Sequence, residues 1–591
     1  MKGLEYSKKS WIVVLAAMIF LTFILPFILF RQPLGDGDTY SHIFMTQLMA
    51  DEWGVTNFFK RLATDYVEDM GLGGYPIGLW FHAATVSKIT GLSARNLSVC
   101  LPVIWAIFLA VSAYITSRLF LGSSEKSILA VIFFMSNPLA VWYIGFYSNV
   151  FVLPFFLLAI YMLFSYRLSY AARFFIFCAF SALIAVSHSG TTSYIFYSLC
   201  IYSFLEVMFS SGGRRFQTYG FFLAFTICMV SVMTVIPEIY WNFYMKMYMV
   251  VSFIEKTQSM IGVDLSAYKN LYMSAIGYGN IFYWNVGGAL YILFLETAHR
   301  LRKRVIGSLP FHKRVRMDWL YNQKWVGVLL PVMLVVAYGI ALLPTLSKFS
   351  FSRGMIMNSM LAPLFWWGPI QCFLCLFCFG NLRKMPVLLS ITFMIVLLPF
   401  MPFKGTGEDY GTGISRYLLF NAIIVSILAS EGFVNLIRVL PGKKAAYVLT
   451  VIVICSSIVT VPIGVTYFLP AISEQKPETA GLGYLKGEAS SGSITLAPNM
   501  RQRLEVYGGV RDALWVIPSN ESYDNQCIND LYVDNRQNST ACLREYGMEY
   551  VIDSRRVRKF MNVKSPNEVA GSGIDRIYSS GDFIIDELNP Q

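Results

Sequence analysis

The sequence predicts a polytopic α-helical membrane protein with a C-terminal extracytoplasmic α/β domain. Three observations predict it. The 591-residue chain is 56% hydrophobic and 14% charged, where a soluble chain of this size carries nearly twice the charged fraction. Its apolar residues fall in blocks of about 20, the length that lets a helix cross a bilayer. After Pro470 no such block occurs, and polar residues become common. The mean hydropathy of +0.54 agrees. The net charge of +12 does not point to nucleic acid, because the basic residues cluster in short connections between apolar runs, where the positive-inside rule puts them.

The first apolar run, 11–30, follows Lys8 and Lys9. It is longer than a signal-peptide core and no small-residue cleavage site follows, so it is expected to remain as the first helix. Further runs cover 98–117, 127–143, 148–166, 172–188, 192–210, 218–236, 281–298, 325–343, 361–380, 385–401, 417–437 and 445–468. That makes about thirteen spans. Pro138 and Pro154 interrupt the third and fourth.

Every alternate connection is basic. Arg118 and Lys126, Arg167 and Arg173, Arg214 and Arg215, the run from His299 to Lys324, Arg383 and Lys384, and Arg438 with Lys443 and Lys444 all fall on one side. By the positive-inside rule that side and the N-terminus are cytoplasmic. An odd number of spans then leaves the C-terminal region outside, in a multi-pass protein of the plasma membrane. The transmembrane domain is expected over 1–470 and the outer domain over 471–591.

The outer connections differ in kind. The first, 31–97, is long, with helical stretches at Tyr40–Ala50 and Ala83–Ile89 and a turn-rich Gly71-Leu72-Gly73-Gly74-Tyr75-Pro76. It reads as a folded loop lying on the membrane surface. In the outer domain, Thr479–Glu488, Arg501–Tyr507 and Thr540–Tyr546 read as helices. Ser493–Ala497 and Glu549–Asp553 read as strands, and Ile574–Tyr578 with Phe583–Glu587 as a hairpin. Of the ten cysteines, Cys372, Cys375 and Cys378 lie in an apolar run and read as small filler. Cys527 and Cys542 stand in the polar region, where an oxidising compartment would permit a disulfide.

The residues with chemistry begin at Gly35-Asp36-Gly37-Asp38-Thr39-Tyr40-Ser41-His42, directly after the first apolar run. A helix starting near Asp38 puts Asp38 and His42 on one face. Asp38 could simply cap that helix, but capping leaves Asp36 and His42 unexplained. A carboxylate here can act as general base on an acceptor hydroxyl, or hold a divalent cation, Mg or Mn, against a phosphate. His188 ends the fifth span on the same side, where an interfacial anchor is the alternative reading. Lys348, Arg353 and Arg416 are cations at the edges of outer loops, suited to an anionic phosphate or to snorkelling toward headgroups. No nucleotide-binding loop occurs, and no run of ionisable residues lies deep in the spans.

These features together resemble the GT-C glycosyltransferase superfamily. They are a first helix, an outer loop opening on an Asp-x-Asp type motif, a bundle of spans, and an outer α/β region. Within that superfamily the chain is similar to archaeal and bacterial membrane transferases related to oligosaccharyltransferases. Gly35–His42, Gly74-Tyr75-Pro76, Ser415-Arg416-Tyr417, Gly483-Tyr484-Leu485-Lys486, Ser493–Pro498 and Tyr546–Asp553 carry the likeness. The resemblance implies a polyprenyl or dolichyl phosphate-linked sugar donor and a glycan, lipid or protein acceptor. It implies Asp36 or Asp38 as the catalytic carboxylate or metal ligand, with Arg353 or Arg416 on the donor phosphate. The outer region lacks the Trp-Trp-Asp motif of oligosaccharyltransferases, so transfer of a single sugar is expected in preference to Asn-linked oligosaccharide transfer. Two other classes compete. A transporter or flippase of lipid-linked glycans would need polar residues at mid-membrane. A non-catalytic assembly protein would tolerate loss of both aspartates.

Overall fold

A computed structural model describes residues 8–25, 28, 37–52, 77–137, 148–209, 215–235, 266, 281–308, 368–375, 377–378, 410–440, 442–489, 494–496, 511–512, 548–554, 574–580 and 583–588. The helices in chain order are α1 Lys8–Ile19, continued by a π-helical turn Phe20–Ile24, α2 Gly37–Glu52, α3 Ile77–Thr90, α4 Ala94–Leu121, α5 Ser124–Met135, α6 Ser148–Phe164 and α7 Tyr170–Ser187. They continue as α8 Ser189–Phe209, α9 Arg215–Val235, α10 Ile281–Ser308, α11 Pro369–Cys375, α12 Tyr410–Val439 and α13 Lys443–Glu488. Five strands follow: β1 Ile494–Leu496, β2 Arg511–Asp512, β3 Met548–Asp553, β4 Ile574–Ser580 and β5 Phe583–Leu588. Four stretches among the described residues, Ala94–Leu121, Tyr170–Ser187, Arg215–Val232 and Leu419–Val439, are helical and long and apolar enough to cross a membrane. The chain is a polytopic helical membrane protein.

The chain divides into two compact units. The first comprises residues 1–29, 73–79 and 101–465, and the second 30–72, 80–100 and 466–591.

In the first unit, aromatic contacts fix the direction of each helix. On α4 and α6, Trp105 meets Phe151 at 5.4 Å, Phe108 meets Phe155 at 5.4 Å and Phe120 meets Phe164 at 5.8 Å. Residue numbers rise together, so these helices are parallel. On α6 and α8, Phe156 meets Tyr194 and Phe164 meets Tyr202, which is again parallel. Tyr291 of α10 donates to the Cys200 carbonyl of α8 at 2.6 Å, and Leu295 packs on Val207, so α10 runs with α8. On α9 and α10 the order is reversed. Phe222 meets Tyr291, and Tyr219, seven chain steps before Thr226, meets Leu295 while Gly288 lies against Thr226. Thus α4, α6, α8 and α10 point one way and α9 the other, the alternation that a bundle of spans requires.

The described charged side chains of this unit gather at the end where α4, α6, α8 and α10 finish. There Arg118 donates to the Gly122 carbonyl at 2.6 Å, and Gly122, at φ 67°, ends α4 in the left-handed conformation that favours glycine. Lys126 of α5 pairs with Glu431 of α12 at 2.6 Å, with Glu431 only 4% exposed, and Ser430 donates to the Lys126 carbonyl. Arg215 and Arg300 both bond Glu296 at 3.2 Å. Arg173 is buried, donates to the last-turn carbonyl of Met162, and lies 5.8 Å from each of the Tyr166, Tyr170 and Phe221 rings. A cation at that helix C-terminus is stabilised by the backbone dipole and by the aromatic faces.

Around α12, a Cβ on Gly432 would strike the Leu374 carbonyl of α11. The missing side chain lets these helices touch backbone to backbone. Asn435 bonds the Phe377 carbonyl at 3.2 Å, and Gln371 the Phe133 carbonyl at 2.6 Å.

In the second unit the strands form one mixed sheet in the order β2-β1-β3-β5-β4. β1 pairs in parallel with β2 and β3, while β5 pairs antiparallel with β3 and β4. The sequence places β1, β3 and the β4–β5 hairpin within a residue or two of these limits. Phe583, Ile585, Asp586 and Leu588 of β5 are buried, so the strand is covered on both faces, as its central position demands. The end of α13 packs on this sheet. Tyr484 lies 5.0 Å from Tyr578, and Gly481 sits against Phe583.

Several expectations change. The run 445–468 and the short helix at Thr479–Glu488 are one helix, α13, which passes Pro462, Pro470 and Pro477. Pro154 likewise lies inside α6. A proline removes one donor and bends the helix but need not end it inside apolar surroundings, where neighbouring groups satisfy the freed carbonyl. Among the described side chains, α2 buries Thr39, His42, Ile43, Met45, Thr46, Leu48, Met49 and Ala50. It is therefore wrapped by protein on most of its circumference and is not a surface helix with one apolar face. The expected spans 325–343 and 385–401, and the expected helices 501–507 and 540–546, lie outside the described residues.

Candidate functional site

α2 begins at Gly37, so Asp38 stands in its first turn and His42 one turn further on. A carboxylate in the first turn is favoured by the positive end of the helix dipole. Thr39, His42 and Thr46 follow at the three- and seven-residue spacings that share one helix face. All three are buried. Neither the Thr39 nor the Thr46 hydroxyl has a hydrogen-bond partner among the described residues. Together they form a buried polar stripe along α2.

His42 is 2% exposed and is met by Trp80 of α3, whose Nε1–H donates to His42 Nδ1 at 3.0 Å. The two ring centroids are 6.1 Å apart at 51°. An indole N–H can only donate, so the nitrogen facing it must carry a lone pair. Sequence reading did not single out Trp80. The partners are 38 residues apart, and nothing in the local pattern distinguishes a Trp that bonds a histidine from one that fills a core. His82, two residues on, is held below the usual histidine range by burial.

His188 ends α7 and precedes α8. Its Nδ1 accepts the Thr191 backbone N–H at 2.9 Å and lies 2.7 Å from the Thr191 hydroxyl. The imidazole thus takes the place of the oxygen that usually caps a helix N-terminus. Asn421 of α12 accepts from the Tyr194 hydroxyl at 2.6 Å, and Tyr194 stacks on Phe420 at 4.9 Å. From that junction α12 descends to the Lys126–Glu431 pair at the charged end, so it runs parallel to α8. Arg416 lies five residues before Asn421, and Ser189 five before Tyr194. At about 1.5 Å of rise per residue, the Arg416 position of α12 and the His188–Thr191 cap of α8 therefore lie at about the same level, opposite the charged end.

The predicted residues thus fall into two groups, one in each compact unit. Asp38 and His42 share α2. His188 and Arg416 share a level of the helical bundle. Asp36, Lys348, Arg353, Cys527 and Cys542 lie outside the described residues, and Asp38 and Arg416 are placed by backbone position. No three of His, Cys, Asp and Glu converge on a metal site among the described residues. His42 Nδ1 is occupied by Trp80. The expected positions for a divalent cation, Asp36 and the Asp38 side chain, lie outside what the structure describes.

No family model matches the chain, and no curated relative matches it. Among solved structures, the crystal structure of ArnT from Cupriavidus metallidurans bound to undecaprenyl phosphate aligns over 99% of this chain and 100% of its own. The identity is 10% and the TM-score 0.41, a likeness too loose to carry an argument.

Proposed function

We propose that the chain is a GT-C type membrane glycosyltransferase that moves a sugar from a polyprenyl or dolichyl phosphate-linked donor to an acceptor on the extracytoplasmic face. The observation that carries this reading is the first turn of α2. It sets Asp38 one turn from a buried histidine in the segment that directly follows the first apolar helix. In the proposed reaction the carboxylate of Asp38 or Asp36 takes the proton of the acceptor hydroxyl. The acceptor oxygen forms a bond to the anomeric carbon as the bond from that carbon to the phosphate oxygen breaks. Polyprenyl phosphate leaves with the electron pair, and Arg353 or Arg416 offsets its charge. Transport is the weaker reading. The buried ionisable groups of the described bundle, Arg173, Glu206 and Glu431, lie toward its charged end and form no path at mid-depth.

The test is turnover of purified, reconstituted protein with polyprenyl phosphate-linked sugars and a panel of hydroxyl acceptors. Wild type should consume donor, and Asp36→Asn or Asp38→Asn should lower kcat by about a hundredfold or more. Equal rates in wild type and both variants would remove the mechanism. Absence of turnover with any lipid-linked donor would remove the activity.

A further inference from the structure

We infer that Trp80 is a positioning residue of this site, whose indole N–H holds His42 as the neutral imidazole protonated on Nε2 and ties α3 to α2 one turn beyond Asp38. The inference rests on the proposed role of α2. The geometry supports it in three steps. Trp80 is 2% exposed and His42 is 2% exposed, so their bond at 3.0 Å is shielded from competing water. An indole nitrogen has no lone pair to offer, so His42 Nδ1 must be the acceptor and the ring proton must sit on Nε2. Protonating Nδ1 would cost both this bond and the burial of a charge. With Nδ1 taken by Trp80, His42 is held as an oriented neutral imidazole and not as a cation.

The bond also fixes geometry. α2 has a carboxylate in its first turn, and its next turn is pinned to α3. A rotation of α2 that moved Asp38 would break the Trp80–His42 bond. The other titratable groups on these helices are Tyr40, Asp51 and Glu52 on α2 and His82 and Lys88 on α3. Asp51 and Lys88 are exposed to solvent.

Two measurements on the full-length protein test this. The first is the nitrogen NMR signature of histidine in protein labelled with ¹⁵N-histidine, with His42→Gln used to assign the His42 signal among the five histidines. Wild type should show an unprotonated Nδ1 and a protonated Nε2 at neutral pH. Trp80→Phe keeps the bulk and removes the donor. Its His42 should mix tautomers. A His42 protonated on both nitrogens at neutral pH in wild type, or an unchanged signature in Trp80→Phe, would overturn the inference. The second measurement is kinetic. Trp80→Phe should lower kcat about tenfold with KM nearly unchanged, and the loss should deepen on the acid side as His42 gains its charge. Phe81→Leu, on the exposed side of the same helix, should match wild type. A Trp80→Phe enzyme with the wild-type rate and pH profile would refute the positioning role. The expected tautomer in a protein that turns over no lipid-linked donor would instead leave the Trp80–His42 lock standing and remove the proposed function.

Discussion

At the scale of single residues, several buried polar groups of this chain are held by specific partners from distant parts of the sequence. Trp80 bonds His42, and Lys126 pairs with Glu431 inside the bundle. Arg576 and Asp586 make the same arrangement in the sheet, at 3.2 Å with the Asp586 side chain 3% exposed. Burial raises the Asp586 carboxyl above its ordinary value, and the Arg576 bond works against that rise. The sign follows from linkage. A carboxyl whose folded value is raised contributes stability that is present below its unfolded value and lost as pH rises through the folded value. At neutral pH the ionised Asp586 therefore depends on Arg576. Arg576→Met should destabilise the protein at pH 7 by about 1 kcal/mol, discounted because Arg576 is 42% exposed. The loss should shrink as the pH is lowered toward 4 and Asp586 takes up its proton. Thermal melts at the two pH values decide it, and a penalty that grows in acid would contradict the assignment.

At the scale of elements, β1, β3, β4 and β5 were legible because their apolar residues sit in short runs flanked by turn residues, as in the hairpin joined by Ser579-Ser580-Gly581-Asp582, while the two-residue β2 carries no such run. The end of α13 was only half legible. The gap holding Pro470 and Pro477 separated the expected span 445–468 from the expected helix Thr479–Glu488, yet one helix runs through both to Glu488, because contact with the sheet supplies what propensity withholds. The glycines there do different work, which sequence alone does not separate. A Cβ on Gly481 would strike the Phe583 ring, while one on Gly483 would meet nothing within 4 Å. Gly481→Ala should therefore lower the melting temperature by forcing helix and sheet apart. Gly483→Ala should leave it unchanged or raise stability by up to about 1 kcal/mol through helix propensity. Equal behaviour of the two variants would mean that α13 does not dock on Phe583.

At the scale of the whole molecule, the alternation of basic connections foretold the alternating helix directions, since both express one constraint: each span must reverse the last. Sequence could not show how the ends are closed. Lys126 and Glu431 are 305 residues apart and Tyr194 and Asn421 are 227 apart. Such pairs follow from which helices become neighbours, a property of packing and not of local pattern. Asp38 and His42 were legible because one helix face joins them; Trp80 was not, because it arrives from another helix. The charged end of the bundle now yields an orientation that can be measured. Arg118, Lys126, Arg173, Arg215 and Arg300 lie there, and we propose from the positive-inside rule that this end is cytoplasmic. The proposed reaction needs α2 and the sheet on the other side. In a background without native cysteines, Leu168→Cys, in the exposed connection between α6 and α7, should react with a membrane-impermeant maleimide only after cells are permeabilised. Leu92→Cys, in the exposed connection after α3, and Ser579→Cys, exposed on β4, should react in intact cells. Labelling of Leu168→Cys in intact cells with protection of the other two would invert the orientation. It would place the Asp38 turn on the cytoplasmic side, where an outward-facing transfer could not occur.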